Sequence, residues 1–266
     1  MSDLKLVKTE PEPNEASALI ELKGVSMVFD DGRRPAWRSL ADISFGVKRG
    51  EFVCFVGPSG CGKTTLVNLM AGFERPTQGS VAIGGRTVLA PSIRHVTIFQ
   101  DYGLLPWRTV KKNVELGLES QKIPARERAQ KVEALIKRVG LENFINHHPW
   151  QLSGGMRQRV AIARALAVEP EIIFMDEPLG SLDALTRMAL QEEILALCRE
   201  KGTTIVLVTH DVEEAVFLAD RIIVMTPGPG RIKNVFTVDM PHKRDRGSAE
   251  FARTRRAVLN EMTAVV

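Results

Sequence analysis

Cysteine is scarce in this 266-residue chain: there are three, Cys54, Cys61 and Cys198, and no CxxC pair. An odd, scattered set argues against a disulfide framework and against a cysteine zinc site, and it fits a reducing compartment. Long apolar runs are lacking too. No stretch approaches the roughly 18 residues a membrane-crossing helix needs, and the first residues hold no apolar segment like a secretory signal. The chain therefore reads as cytosolic. Neither sign of charge dominates. There are 36 Lys and Arg against 32 Asp and Glu, interspersed, giving +4. That excess is too small to indicate nucleic acid, and it is compatible with docking to a membrane protein. Internal repeats and low-complexity tracts are absent. The hydrophobic share of 44% and charged share of 26% are those of an ordinary globular protein, and the length suits one large domain with a sub-lobe.

The first 18 residues, with Glu10, Pro11, Glu12, Pro13 and Glu15, read as a flexible leader. Ile43, Phe45 and Val47 alternate with Ser44 and Gly46, the period of a half-buried antiparallel strand. The pattern then changes. Continuous apolar runs at 52–56, 96–99, 172–175, 204–208 and 222–225 suit parallel strands covered on both faces. Helical spacing lies between them: Val132, Leu135, Ile136 and Val139, then Leu190, Ile194, Leu197 and Cys198. Strands alternating with helices predict an α/β domain, with ligands beyond the carboxyl ends of the strands. From about Met240 the chain is polar and basic, a tail or peripheral helix over 241–266.

Gly57-Pro58-Ser59-Gly60-Cys61-Gly62-Lys63-Thr64 follows one apolar run and precedes a helix-compatible segment beginning at Thr65. This is the strand–loop–helix context of a phosphate-binding loop. Glycines let backbone N–H groups wrap a phosphate, and the helix N-terminus adds positive potential. Lys63 can reach the β- and γ-phosphate oxygens, and the Thr64 hydroxyl can bind Mg²⁺. The run at 172–175 ends in Asp176-Glu177. A carboxylate there can hold Mg²⁺, and the next can orient and deprotonate a water for in-line attack. Alternatively, the pair caps the turn that Pro178 favours. Ser153 is a good helix N-cap before 157–167, so Ser153, Gly154 and Gly155 make a second anion-seeking helix start. Adjacent His147 and His148 read as loop residues, since neighbours in sequence do not readily face one metal. Cys61 reads as a passive spacer, with a low-pKa thiol at a helix start as the alternative.

Taken together, these motifs resemble the ATP-binding subunit of ABC transporters, from about Leu19 to the C-terminus. Leu152-Ser153-Gly154-Gly155-Met156 is similar to the family's signature, with Met156 where glutamine is commoner. Ser181-Leu182-Asp183 looks like its D-loop, Thr209-His210-Asp211 its switch segment, and Gln100, ending a strand in Ile98-Phe99-Gln100, its Q-loop glutamine. Phe29 occupies the place of the aromatic that stacks on adenine. Gly103-Leu104-Leu105-Pro106-Trp107-Arg108 and Gly228-Pro229-Gly230-Arg231 look like the subfamily importing nitrate, sulfonates and taurine. The resemblance implies a P-loop NTPase core with a parallel sheet, an N-terminal antiparallel β subdomain and a helical signature subdomain near 102–165, all within 19–240. It implies an ATPase using ATP and Mg²⁺, with Thr64, Gln100 and Asp176 at the metal. Glu177 would be the base, His210 the γ-phosphate sensor, and residues 57–65 the cradle. Ser153, Gly154, Gly155 and Asp183 would act across an ATP-dependent homodimer. The implied partners are an integral membrane permease, reached partly through 102–107, and an extracytoplasmic solute-binding protein without direct contact. Nucleic acid is not implied. The implied location is the cytoplasmic face of the cell membrane, as a peripheral subunit. The alternatives are a soluble ABC ATPase clamp in translation or repair, and a P-loop small-molecule kinase; the signature, D-loop and switch histidine argue against the kinase.

Overall fold

The computed structural model describes residues 18–263 except Asp31, Arg34, Lys122, Ser181 and Lys243, and except the side chains of Leu197 and Cys198. The expected leader, apart from Ala18, and Ser181 of the D-loop-like segment lie outside the described residues. In chain order the elements are β1 (Ala18–Phe29), β2 (Trp37–Lys48), β3 (Phe52–Val56), α1 (Lys63–Ala71), β4 (Gln78–Ile83) and β5 (Arg86–Thr87). Next come β6 (His95–Ile98), α2 (Val110–Glu119), α3 (Ala125–Arg138), α4 (Gly154–Ala167), β7 (Ile172–Asp176) and α5 (Ala184–Lys201). The chain finishes with β8 (Thr204–Thr209), α6 (Val212–Leu218), β9 (Arg221–Met225), β10 (Ile232–Thr237) and α7 (Ala249–Thr263). These elements divide into two compact units, Met1–Pro91 with Thr204–Val266, and Ser92–Thr203.

The first unit carries an antiparallel sheet in the order β2-β1-β4-β5. Ile20 pairs with Val47 and Leu22 with Phe45. Ile43, Phe45 and Val47 are buried while Asp42 and Lys48 face water, so the alternation read from the sequence is one covered face. The second sheet of this unit runs β10-β9-β3-β8. β3 pairs in parallel with β8 on one side and β9 on the other. Every residue of β3 and β8 is buried, which is why both appear in sequence as unbroken apolar runs.

The C-terminal segment docks on α6 through α7 and the chain before it. Arg244 is only 6% exposed. Its guanidinium donates to the carbonyls of Val216, Phe217 and Ala219 at the end of α6, and to those of Val238 and Met240. A helix ends with carbonyls lacking partners and a partial negative charge, and the five-donor guanidinium supplies both needs. Arg246 lies over the Phe217 ring at 3.6 Å, and Arg255 pairs with Glu213 at 3.0 Å.

In the second unit β6 pairs with β7 in parallel, and α2, α3 and α4 lie between them in sequence. Val132 and Ile136 of α3 are buried as their spacing predicts. Two sequence expectations fail here. The run at 96–99 was expected to be covered on both faces, but His95, Val96 and Thr97 are half-buried and Phe99 is exposed. Its strand also stops at Ile98, so Gln100 does not end a strand but lies in a turn two residues beyond. The reason is topological: β6 ends the strand order, and the turn closed by the Tyr102 N–H on the Phe99 carbonyl diverts the chain.

Candidate nucleotide site

The phosphate loop is built by burial at one end and glycine at the other. β3 delivers the chain at Val56, and α1 begins at Lys63 with Gly62 in the left-handed region at φ 89°. A side chain at Gly62 would meet Leu40 and Ser39 as well as strain the backbone. Lys63 is buried, and its ammonium donates to the carbonyls of Gly57 at 2.8 Å and Pro58 at 3.2 Å. The charge is thus held inside the loop at the start of a helix, whose first amide groups have no partners within the helix. Glycine-lined backbone, a lysine and a helix start together fit the phosphate tail of a nucleotide. Thr64 is exposed in the first turn. Thr65 instead braces the helix: its Oγ1 accepts a hydrogen bond from Ser39 Oγ at 3.0 Å, tying α1 to β2.

Cys61 is buried against this loop with its sulfur 3.8 Å from the Lys63 ammonium. Burial pushes its thiol above the ordinary cysteine range, with Lys63 pulling the other way. The passive role suits this thiol better than that of a reactive group. Gly228-Pro229-Gly230, read from sequence only as a subfamily mark, backs the loop. The Gly230 N–H donates to Ser39 O, its carbonyl accepts from Ala41 N, and a methyl on Gly230 would overlap the Cys61 carbonyl oxygen.

His210 follows the last residue of β8. Asp211 Oδ1 accepts from the N–H groups of Glu213 and Glu214 and so caps α6. His210 lines a cavity of about 380 Å³ with Asp211, Val212 and Glu213, and with Arg255, Leu259 and Met262 of α7. No local pattern in the sequence announces that α7 comes to His210. Phe29, at the end of β1, is 38% exposed and stacks on Trp37, a residue the sequence reading passed over.

The second unit supplies the remaining motifs. β7 ends at the half-buried Asp176, and Glu177 follows in the left-handed region at φ 44°. Such backbone is costly for a residue with a side chain, and it recurs at functional sites. Ser153 caps α4, its Oγ accepting from Met156 N at 3.3 Å, as its sequence position predicts. Gly155 is buried where a methyl would meet Thr186 of α5, so it also serves close helix packing. Asp183 accepts from Thr186 N at 3.0 Å, and hydrogen bonding from the Thr186 side chain first, and its backbone second, holds the carboxyl below the usual range. After Gln100, Tyr102 is gripped by α4: Arg164 donates to the Tyr102 and Gly103 carbonyls, and Arg157 lies over the Tyr102 ring. Among the described residues no group of three or more His, Cys, Asp or Glu could hold a metal. His147 packs on Phe144, and His148 stacks on Trp150.

A buried lysine closed inside a glycine loop between a buried strand and a helix defines a P-loop nucleotide-binding protein. This chain belongs to the ABC transporter family, whose model matches residues 40–180. An uncharacterised ABC transporter ATP-binding protein of Methanocaldococcus jannaschii is 47% identical over 91% of this chain and 90% of its own length. A bicarbonate transport ATP-binding protein of Synechocystis is 42% identical, covering 89% and 84%. A taurine import ATP-binding protein of Pelagibacter ubique is also 42% identical, covering 89% and 92%. Among solved structures, a dimeric ATP-binding cassette in a post-hydrolysis state with ADP and Pi matches with a TM-score of 0.73. It is 34% identical and covers 84% of this chain and all of that one. The expected ABC ATPase fold is therefore the fold of this protein. No described helix is long and apolar enough to cross a membrane.

Proposed function

We propose that this chain hydrolyses ATP to ADP and phosphate to power an ABC importer for a small solute, working at the cytoplasmic face of the membrane through a separate permease. The observation that carries the reading is the Lys63 ammonium enclosed by the Gly57 and Pro58 carbonyls in a glycine loop at a helix start. The relatives named for bicarbonate transport and taurine import support the transport role. Their different solutes leave the class at small anions and zwitterions. No observation favours a clamp in translation or repair.

In this reading residues 57–65 hold the phosphates, and Phe29 meets the adenine. Mg²⁺ would be held by Thr64 and Asp176 with Gln100 nearby, offsetting the charge of the phosphate oxygens. Glu177 takes the proton of the attacking water, and His210 contacts the γ-phosphate. Ser153, Gly154, Gly155 and Asp183 serve the ATP of a second copy, a pairing supported by the dimeric cassette among the structural neighbours. The permease meets the segment 102–107, where Trp107 is 71% exposed. A solute-binding protein outside the membrane belongs to the same system without touching this chain. Glu177→Gln should keep ATP binding and lower phosphate release by about 10²–10⁴-fold, the scale of a general base. Near-normal turnover in that variant would remove Glu177 from the mechanism.

A further inference from the structure

We infer that Trp37 is a second aromatic surface for the nucleotide base, acting with Phe29 as a stacked pair; this rests on the nucleotide reading of the phosphate loop. Phe29 closes β1, Trp37 opens β2, and the two are direct register partners. Their rings stack with centroids 6.1 Å apart and planes 16° from parallel. Neither ring belongs to the core, since Phe29 is 38% and Trp37 51% exposed. Two stacked aromatic rings left open to water are useful when a ligand covers an outer face.

Their place relative to the loop names that ligand. Two residues beyond Trp37, Ser39 donates to Thr65 in the first turn of α1. Leu40 and Ser39 also press on Gly62, and Gly230 binds Ser39 while backing Cys61. β2 therefore leads from the aromatic pair straight to the cradle. Trp37 and Ser39 lie about 7 Å apart along the strand, across a bulge where β2 shifts register on β1. A nucleotide gripped by its phosphates must place its ribose over such an interval and its base beyond it. Base stacking on an aromatic ring tolerates any base, because every base has a π-face. Rings stacked on each other offer a base one outer face, and the larger bicyclic purine overlaps an indole face more fully than a pyrimidine does, so Trp37 favours a purine nucleotide.

The test compares ATP with inorganic tripolyphosphate, which offers phosphates without a base. In a Trp107→Phe, Trp150→Phe protein Trp37 is the sole tryptophan. Its emission should change saturably with ATP and ADP and stay constant with tripolyphosphate. In the full chain Trp37→Ala should weaken ATP binding about 10-fold, the scale of one lost stacking contact. KM should rise with kcat unchanged, tripolyphosphate affinity should not move, and Trp37→Phe should restore most of the loss. Unchanged ATP affinity in Trp37→Ala would overturn the inference, and would be the result if a protein partner rather than a base covered the pair. Equal losses for ATP and tripolyphosphate would also overturn it, by reducing Trp37 to a support of the strand. Wild-type protein that bound neither ligand would refute the nucleotide reading itself, and the inference with it.

Discussion

Gly230 shows how one residue can hold a site from a distant part of the chain. Its backbone is bonded to Ser39 and Ala41, and it approaches the Cys61 carbonyl too closely to admit a methyl group. Gly230→Ala must therefore push the phosphate loop or break the bonds to β2. Overpacking of this kind costs about 1–3 kcal/mol. The variant should melt at lower temperature and bind ATP more weakly, which thermal unfolding with and without ATP would register. A variant with unaltered ATP affinity would show that the loop does not depend on this contact. Cys61 gives a chemical test at the same scale. Because burial raises its thiol, the thiolate is scarce at neutral pH and alkylation should be slow. Labelling by iodoacetamide, mapped by peptide mass, should accelerate as pH rises past the usual cysteine range. Fast labelling of Cys61 at pH 7 would contradict the buried passive thiol.

At the scale of elements, the ends of helices matter more than their middles. Asp211, Ser153 and Thr109 each cap a helix start by accepting backbone N–H groups. α6 has a cap at both ends, Asp211 at its start and Arg244 at its finish. Arg244→Ala would leave several buried carbonyls without donors, a loss of about 2–4 kcal/mol. Urea unfolding should show that loss, and Arg244→Lys should recover part of it, because an ammonium restores the charge but not the fork. Equal stability of Arg244→Ala and wild type would mean the C-terminal segment is not what secures α6. The loop before α2 is tied in a comparable way. Asn113 is fully buried, and its side chain exchanges hydrogen bonds with both backbone groups of Leu105 and donates to the carbonyls of Arg108 and Thr109. That tether presents Trp107 outward without help from its own packing.

For the whole molecule the predictions concern assembly. Ser153 caps α4 in isolation, yet its role in the proposed dimer is to meet the γ-phosphate of the other copy. Ser153→Asp keeps a capping oxygen and adds a negative charge at the helix start. ATP binding to the single chain should survive, while ATP-dependent dimerisation of a Glu177→Gln background, followed by size exclusion, should disappear through repulsion. A dimer that persisted with aspartate at 153 would contradict the role across the dimer. The permease surface has its own test. Leu105→Ala with Trp107→Ala should leave melting and basal ATPase near normal, because Trp107 is largely exposed and Leu105 only half-buried. Co-purification with the permease and transport should fall. A large drop in melting temperature with assembly retained would place these side chains in the protein's own core.

Much of this protein was legible from the chain alone, and the reason is locality. A phosphate loop needs a strand, a glycine turn and a helix in immediate succession, so residues 52–71 declare it without tertiary information. The cap at Ser153 is equally local, and strands buried on both faces write themselves as apolar runs, as β3, β8 and β9 do. β6 misled because an apolar run states hydrophobicity, not how many neighbours a strand will have. The tertiary structure decided the contacts that join distant segments. Phe29 meets Trp37 only once the register of β1 on β2 is set, Gly230 meets Cys61 only once β9 lies beside β3, and Arg244 finds the end of α6 only when the chain after β10 returns. Such approaches depend on strand pairing and helix docking between residues that share no local pattern, and no window of neighbouring residues contains them.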